Sequence, residues 1–367
     1  MVCLLHKSLY GIPESGRNWF YTIKDILQHC GLSQSQADPC VFYCITPQSS
    51  LILCLFVDDQ MISVSDDLVF EQFMIKLKTR LDVKEVLAQN YLGLEINHTE
   101  EGISLGNIKY IDKKIKQYGF DDLHPVRTIS SGLKNHDQCL ESPPINRTEY
   151  QELVGSLLFL SNASRPDLQF ITVSASQFNT CPRRAHLEMI KRVFRYLKTT
   201  RGLKMHFPAS PLGKLTLSTD ASYDSLLDSK SATGYCFRLG RVPILWKTKK
   251  QSRVTHSSCE AEIEAMCNAI KDLQPIQLLL SEIAPETIAY PITLETDSRS
   301  GIDLITNGGS ADSKHYLRRV NTVRDEVMNN NIKLTFTPSE DQVADIFTKL
   351  VSGIKLKDVC EQELNLY

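Results

Sequence analysis

The chain has 367 residues, 42% hydrophobic and 23% charged, which leaves room for two or three cores and excludes a stapled mini-protein, a disordered tail and a coiled coil. A formal net charge of -2 gives no general attraction for nucleic acid, so any such contact must come from local stripes. The longest apolar run, residues 51–57, is far short of the roughly 20 residues of a membrane helix, "MVCLLHKSLYG" is too short in apolar residues for a signal peptide, and eleven cysteines without a CxxC pair point to a reducing compartment, cytosol or nucleus.

The first predicted helix is "ESGRNWFYTIKDILQHCG". It is followed by two strands in "LILCLFVDDQMISV", the helix "DLVFEQFMIKLKTRL" and the strand "NYLGLEIN". Together they predict an α+β unit over residues 1 to about 95. From there to about residue 205 comes the turn-rich "LHPVRTISSGLKNHDQCLESPPINR" and then helices at "EYQELVGSLLFLSNAS", "RPDLQFITVSASQFN" and "RRAHLEMIKRVFRYLKTT", a mostly helical region. In the last of these, Arg184, Lys191, Arg195 and Lys198 share one face opposite Leu187, Ile190, Val193, Phe194 and Leu197. That face suits a solvated helix and a phosphate-tracking one equally. Beyond the punctuation of Pro208, Pro211 and Gly213, strands alternate with helices, so a mixed α/β domain is expected from about 206 to 367.

Asp58 and Asp59 stand between two apolar runs. A tight hairpin would put them at its tip, but such turns prefer glycine and "VDDQ" has none. Two unit charges ~4 Å apart repel by about 1 kcal/mol in water and about 4 at an effective dielectric near 20. A divalent cation turns that repulsion into attraction. By residue type alone, a solvated turn is the commoner setting for such a pair.

In "GKLTLSTDASY", Asp220 is expected to end the polar face of a half-buried strand, where it is either a turn residue or a ligand. "TGYCFRLGRVPILWK" predicts a hairpin turning at Gly240 and Arg241, with Pro243 on an edge. Ser257 and Glu260 form a capping-box pattern that starts a helix. On that helix Glu262 falls in line with Ala265, Met266, Ala269 and Leu273, while Glu260, Glu264 and Lys271 fall on the other, polar side. A buried carboxylate needs a cation or hydrogen bonds, which singles out Glu262. Asp297 sits at the exit of the strand in "PITLETDSRSG", with Ser298 able to cap the next helix. In "IKLTFTPSEDQVADIFTKL" a strand precedes a helix whose apolar stripe is Val343, Ile346, Phe347 and Leu350, leaving Asp345 solvated by pattern. His315, Arg318 and Arg319 in "SKHYLRRVNTVRDEV" have no assigned role.

"KSLYGIPESGRNWF", "LFVDD" and "YLGLEI", followed by "YQELVGSLLFLSNASRPDLQF" and "AHLEMIKRVFRYLKTTRGL", resemble the reverse transcriptase and connecting region of copia-type LTR retrotransposon Pol polyproteins. "TDASYDSLLDSKSATGYCF", "SSCEAEIEAM", "ETDSRSG" and "VADIFTK" are similar to the family's RNase H domain. The resemblance implies a palm remnant over residues 1–95, a thumb or connecting region over 96–205 and an RNase H-like domain over 206–367. It implies that Asp58 and Asp59 are polymerase metal ligands, and that Asp220, Glu262, Asp297 and Asp345 form a two-metal nuclease centre using Mg²⁺ or Mn²⁺. The implied substrate is the RNA strand of an RNA–DNA hybrid, with an RNA template and other retrotransposon proteins as partners, in cytoplasmic particles or the nucleus. Lys247, Lys249, Lys250 and Arg253 either hold the nucleic-acid backbone or form a solvated loop. The family places a third palm aspartate before "LYG", whereas only nine residues precede Tyr10 and the first aspartate is Asp25. Where the family reads "LYGLKQ" this chain has Pro13 and Glu14. Loss of polymerase activity is expected, with a non-catalytic hybrid- or RNA-binding relic, or a 3′-5′ exonuclease, as other readings of the same residues.

Overall fold

The computed structural model describes residues 8–9, 11–130, 141–226, 229–308 and 316–367, without the side chains of 224–226. Tyr10, His315 and the stretch 131–140 of the turn-rich segment lie outside the described residues. The chain divides into two units, one of residues 1–88 with 273–285 and one of residues 89–272 with 286–367. Among the described residues no helix is long and apolar enough to cross a membrane.

In the first unit, α1 (Ser15–His29) turns Ile23, Ile26 and Leu27 inward. It leads to β1 (Ser33–Gln34), β2 (Val41–Ile45), β3 (Ser50–Phe56) and β4 (Asp59–Val64), an antiparallel sheet in that order. Leu51, Leu53 and Leu55 of β3 alternate into a core completed by Phe73, Met74 and Leu77 of α2 (Asp67–Lys78). Asp66 caps α2, its carboxylate accepting from the amides of Leu68 and Val69, so two otherwise orphaned donors are satisfied.

The second unit begins with β5 (Asn90–Tyr91), β6 (Leu94–Thr99) and β7 (Gly102–Gly106), followed by α3 (Ile108–Gln117). The single strand expected in "NYLGLEIN" is therefore a hairpin. Leu92 and Gly93 take φ of 50° and 82°, and the glycine allows the left-handed reversal that splits the strand. The helices at α4 (Arg147–Ala163), α5 (Gln169–Ser176) and α6 (Arg184–Thr200) form where the periodicity puts them. On α6, Ile190, Val193, Phe194 and Leu197 are buried. β8 (Met205–Pro208) then pairs with β7, giving a sheet in the order β5-β6-β7-β8 within a stretch expected to be mostly helical.

A mixed five-stranded sheet follows. It contains β9 (Leu215–Leu226), β10 (Lys230–Leu239), β11 (Val242–Lys250), β12 (Ile292–Thr296) and β13 (Ile332–Phe336), in the order β11-β10-β9-β12-β13. The first three strands are antiparallel, and β12 and β13 add parallel to β9, which makes a mixed sheet. Its helices are α7 (Ser258–Ile283), α8 (Arg299–Asn307), α9 (Leu317–Met328) and α10 (Gly353–Asp358). The helix expected around Asp345 is instead a short 3-10 turn, Val343–Phe347, with all five residues buried. Gly234 of β10 admits it: a Cβ there would lie 2.6 Å from Thr348 Cγ2 and 2.7 Å from Phe347 Cβ. Thr248 of β11 donates to the Phe347 carbonyl at 2.6 Å and fixes the turn on the sheet.

Candidate metal centre

Asp220 lies within β9, opposite Gly234, and is buried; β9 runs on to Leu226, so the aspartate is mid-strand and not at the strand end expected from the pattern. Asp297 follows the last residue of β12, as the strand-exit pattern predicts. Ser298 caps α8 by accepting from the Gly301 amide at 3.1 Å. Asp345 is carried by the 3-10 turn and is buried, correcting the solvated placement expected for it, because the turn packs on the sheet as a whole. These three residues, from three separate elements, each offer a carboxylate oxygen within 4.8 Å of the others.

Glu262 of α7 approaches from beside Asp220. Its Oε1 accepts from the Ala221 amide at 3.2 Å, and its buried Oε2 has no hydrogen-bond partner among the described residues. Glu260 and Glu264 were expected on a polar face, but both are buried, at 3.6 and 3.2 Å from the Arg319 guanidinium of α9. Packing of α9 against that side replaces solvent with an arginine. The Ser257 hydroxyl accepts from the Glu260 amide at 3.1 Å, whereas the Glu260 carboxylate reaches the His256 amide at 2.9 Å instead of closing the box on Ser257.

Burial pushes the Asp220 carboxyl up to about 7, opposed by the Lys349 charge and reinforced by Asp345. Burial, then the charges of Asp220 and Asp297, push Glu262 well above the usual carboxylate range. Two lysines answer the crowding. Lys349 Nζ is 2.6 Å from Asp345 Oδ1 and 3.9 Å from Asp220 Oδ2, and Lys355 Nζ of α10 is 2.6 Å from Asp345 Oδ2. Burial alone would lower the Lys349 ammonium, but Asp220 and Asp345 hold it above the ordinary lysine value. Hydroxyls complete the support: Ser339 donates to Asp297 at 2.6 Å, and Thr348 donates to Asp220. The sequence reading missed these four groups. Only Lys349, four residues after Asp345, carried a local signal.

Clustered hard carboxylate oxygens suit a small divalent cation, since like charges ~4 Å apart repel by about 4 kcal/mol at an effective dielectric near 20 and a shared cation reverses the sign. The unpartnered Oε2 of Glu262 is a further buried acceptor awaiting a positive or donating group. The residues present therefore fit a metal.

Asp58 and Asp59 occupy a different setting. Phe56 pairs with Asp59, so Val57 and Asp58 form a two-residue turn, exposed at its tip. Val57 has φ of 55°, a left-handed conformation that β-branched residues rarely adopt. The Trp19 indole donates to the Val57 carbonyl at 2.6 Å and holds the turn. Among the described residues, no third metal-capable side chain joins this pair.

The basic residues have varied surroundings. Arg184 is exposed and Lys191 pairs with Glu188 at 3.0 Å. Arg195 donates to the His124 carbonyl at 2.6 Å, and Lys198 to those of Asp121 and Leu123, so these two tie the 121–124 loop to α6. Lys247 pairs with Asp272 at 2.8 Å. Lys249 and Lys250 end β11, and Lys249 and Arg253 are exposed.

Residues 1–130 match the family described as "Reverse transcriptase (RNA-dependent DNA polymerase)". The chain is 30% identical to the retrovirus-related Pol polyprotein from transposon TNT 1-94 of Nicotiana tabacum, over 100% of this chain and 28% of that protein. It is 29% identical to the Pol polyprotein from transposon RE2 of Arabidopsis thaliana, over 97% of this chain and 25% of the relative. For the transposon Ty1-DR6 Gag-Pol polyprotein of Saccharomyces cerevisiae the figures are 30%, 94% and 21%. The chain thus spans about a quarter of the length of these relatives. Among solved structures, an RNase H1 isolated from compost is similar at 16% identity, covering 37% of this chain and 93% of that one, with a TM-score of 0.30. A foamy viral protease-reverse transcriptase in complex with dsDNA is similar at 14% identity, covering 90% and 60%, with a TM-score of 0.46.

Proposed function

Because the chain belongs to the Pol polyproteins of copia-type retrotransposons, we propose that it hydrolyses the RNA strand of RNA–DNA hybrids internally, at a centre formed by Asp220, Glu262, Asp297 and Asp345 with Mg²⁺ or Mn²⁺. The observation that carries this reading is the convergence of Asp220, Asp297 and Asp345 from a strand, a strand exit and a 3-10 turn into one group within 4.8 Å. Two of the three, Asp220 and Asp345, are buried, where an acid without a partner is costly. In the proposed division, residues 1–95 are the palm remnant, 96–205 the connecting region and 206–367 the nuclease domain.

Asp220, Asp297 and Asp345 would hold the cation, with Glu262 near enough to feel the charges of Asp220 and Asp297. When bound, such ions supply positive charge beside the attacking and leaving oxygens of a phosphodiester. The protein's own part is to keep the acceptors aimed. Ser339 and Thr348 fix the carboxylates of Asp297 and Asp220, and the Ala221 amide fixes Glu262. Contacts to 2′-hydroxyls would select the RNA strand, and the exposed Lys249 and Arg253 would meet its phosphates.

The test is cleavage of an end-labelled RNA–DNA hybrid by the full chain with Mg²⁺ or Mn²⁺. Internal cuts are expected, and Asp220→Asn and Asp297→Asn should each reduce them to background while hybrid binding survives. Cutting from ends only would favour an exonuclease. Hybrid binding without cleavage by either metal would leave the non-catalytic relic. Primer extension on an RNA template is not expected of this chain alone, since Asp58 and Asp59 have no third carboxylate beside them among the described residues. Incorporation that disappears in the Asp58→Asn, Asp59→Asn double variant would overturn that.

A further inference from the structure

Lys349 and Lys355 grip opposite oxygens of one carboxylate, that of Asp345, yet they are held very differently. Lys355 is 21% exposed and has a second fixed acceptor, the Ser339 carbonyl, on the residue whose hydroxyl orients Asp297. Lys349 is 43% exposed, and among the described residues its side chain is paired with Asp345 Oδ1, with Asp220 Oδ2 at 3.9 Å. Its ammonium therefore lies by two of the three carboxylates of the cluster and has solvent to move into. A divalent cation shared by those carboxylates would bring a second positive charge to the same oxygens.

We infer that Lys349 is a built-in counter-ion, which holds Asp220 and Asp345 together when no divalent cation is bound and competes with that cation for them, while Lys355 is a positioning residue that keeps Asp345 aimed in both states. The inference rests on the cluster being a metal centre. Entry of the metal turns the Lys349 side chain out toward solvent, at no cost to the backbone, because its stem is flexible and already half-exposed. Lys355, tied at two points, stays. The pair gives buried Asp345, and through Lys349 buried Asp220, a cationic neighbour while no divalent ion is bound.

The full-length chain is compared with Lys349→Met and Lys355→Met by titrating Mn²⁺ under electron paramagnetic resonance, with melting followed in EDTA and in saturating Mn²⁺. For Lys349→Met, Mn²⁺ binding about tenfold tighter than wild type is expected, with a melting temperature lowered in EDTA and restored by the metal. Lys355→Met should bind Mn²⁺ no more tightly than wild type. In the unaltered protein, Mn²⁺ should raise the reactivity of Lys349, and not of Lys355, toward an acetylating reagent, read by mass spectrometry; this arm does not depend on a variant folding. Mn²⁺ binding to Lys349→Met that is unchanged or weaker, or Lys349 reactivity unmoved by the metal, overturns the counter-ion role while the metal centre stands. If neither wild type nor variant binds Mn²⁺ at a site abolished by Asp220→Asn, the metal-centre reading itself fails and the inference falls with it.

Discussion

Glu260 and Glu262 lie two residues apart on α7, both buried, yet they answer to different partners. Glu260 has the His256 amide and the Arg319 guanidinium, whereas Glu262 has the Ala221 amide on one oxygen and, among the described residues, no hydrogen-bond partner on the other. Removing the charge of Glu260 leaves Arg319 with Glu264, so Glu260→Gln is expected to cost about 1–2 kcal/mol of stability and change cleavage by no more than about twofold. Glu262→Gln takes a buried acceptor from the carboxylate group and should lower cleavage by roughly 100-fold with little loss of stability. Hybrid-cleavage rates and melting curves of the two variants decide this; the opposite ranking in cleavage would show that the wrong glutamate faces the centre. The burial of Glu262 was legible in the sequence because it heads an apolar stripe. The burial of Glu260 was not, because the arginine that accepts it arrives from a helix about 60 residues away.

Among the elements, the five-residue turn Val343–Phe347 shows where local pattern stops being informative. Its apolar spacing suits a helix, but Gly234 lets it lie flat on β10, and that long-range contact decides both its form and the burial of Asp345. By contrast, the exit of β12 and the Ser298 cap are short-range features, and Asp297 was placed correctly from them. Gly234→Ala should therefore cost more than the usual overpacking penalty of about 1–3 kcal/mol, since its Cβ would also meet the Phe347 carbonyl carbon at 3.0 Å. It should also lose Mn²⁺ binding, because the turn that carries Asp345 is pushed off the sheet; a variant with wild-type stability would show that the turn has room to shift. A second element-level tie is Asp272 of α7, which accepts from Tyr235 of β10 at 2.6 Å and pairs with Lys247 of β11. Burial pushes its carboxyl up, but the Lys247 and Tyr235 hydrogen bonds outweigh that and hold it below the usual value. A depressed folded-state pKa adds stability above the unfolded value and loses it as pH falls through the folded one. Asp272→Asn should thus lower the melting temperature at about pH 7, and the gap from wild type should close toward about pH 3. A gap that widens on acidification would mean that another group controls the tie.

At the scale of the whole molecule, the apolar core ignores the composition break near residue 205. Val343, Ile346 and Phe347 of the 3-10 turn, Cys236 of β10, and Leu364 and Leu366 near the C-terminus share one cluster with Leu157 and Leu160 of α4, Ile171 of α5 and Phe194 of α6. Lys204 and Tyr367 exchange backbone hydrogen bonds in both directions, and Trp246 of β11 donates to the Ser161 carbonyl of α4 at 2.7 Å. Pattern analysis puts a boundary where strand-rich sequence begins, because it sees composition along the chain and not which faces meet. A fragment of residues 206–367 would leave the buried faces of Phe347, Ile346 and Val343 open to water, each forfeiting about 1.5–3 kcal/mol. Against a total stability of roughly 5–15 kcal/mol for a domain, that deficit is decisive. The fragment is expected to bind a hydrophobic dye and melt without a cooperative transition, whereas residues 89–367 melt cooperatively and bind Mn²⁺. Were the shorter fragment to unfold cooperatively near the temperature of the longer one, the helices α4 to α6 would be accessory to the five-stranded sheet and the shared cluster would contribute little to holding the three carboxylates together.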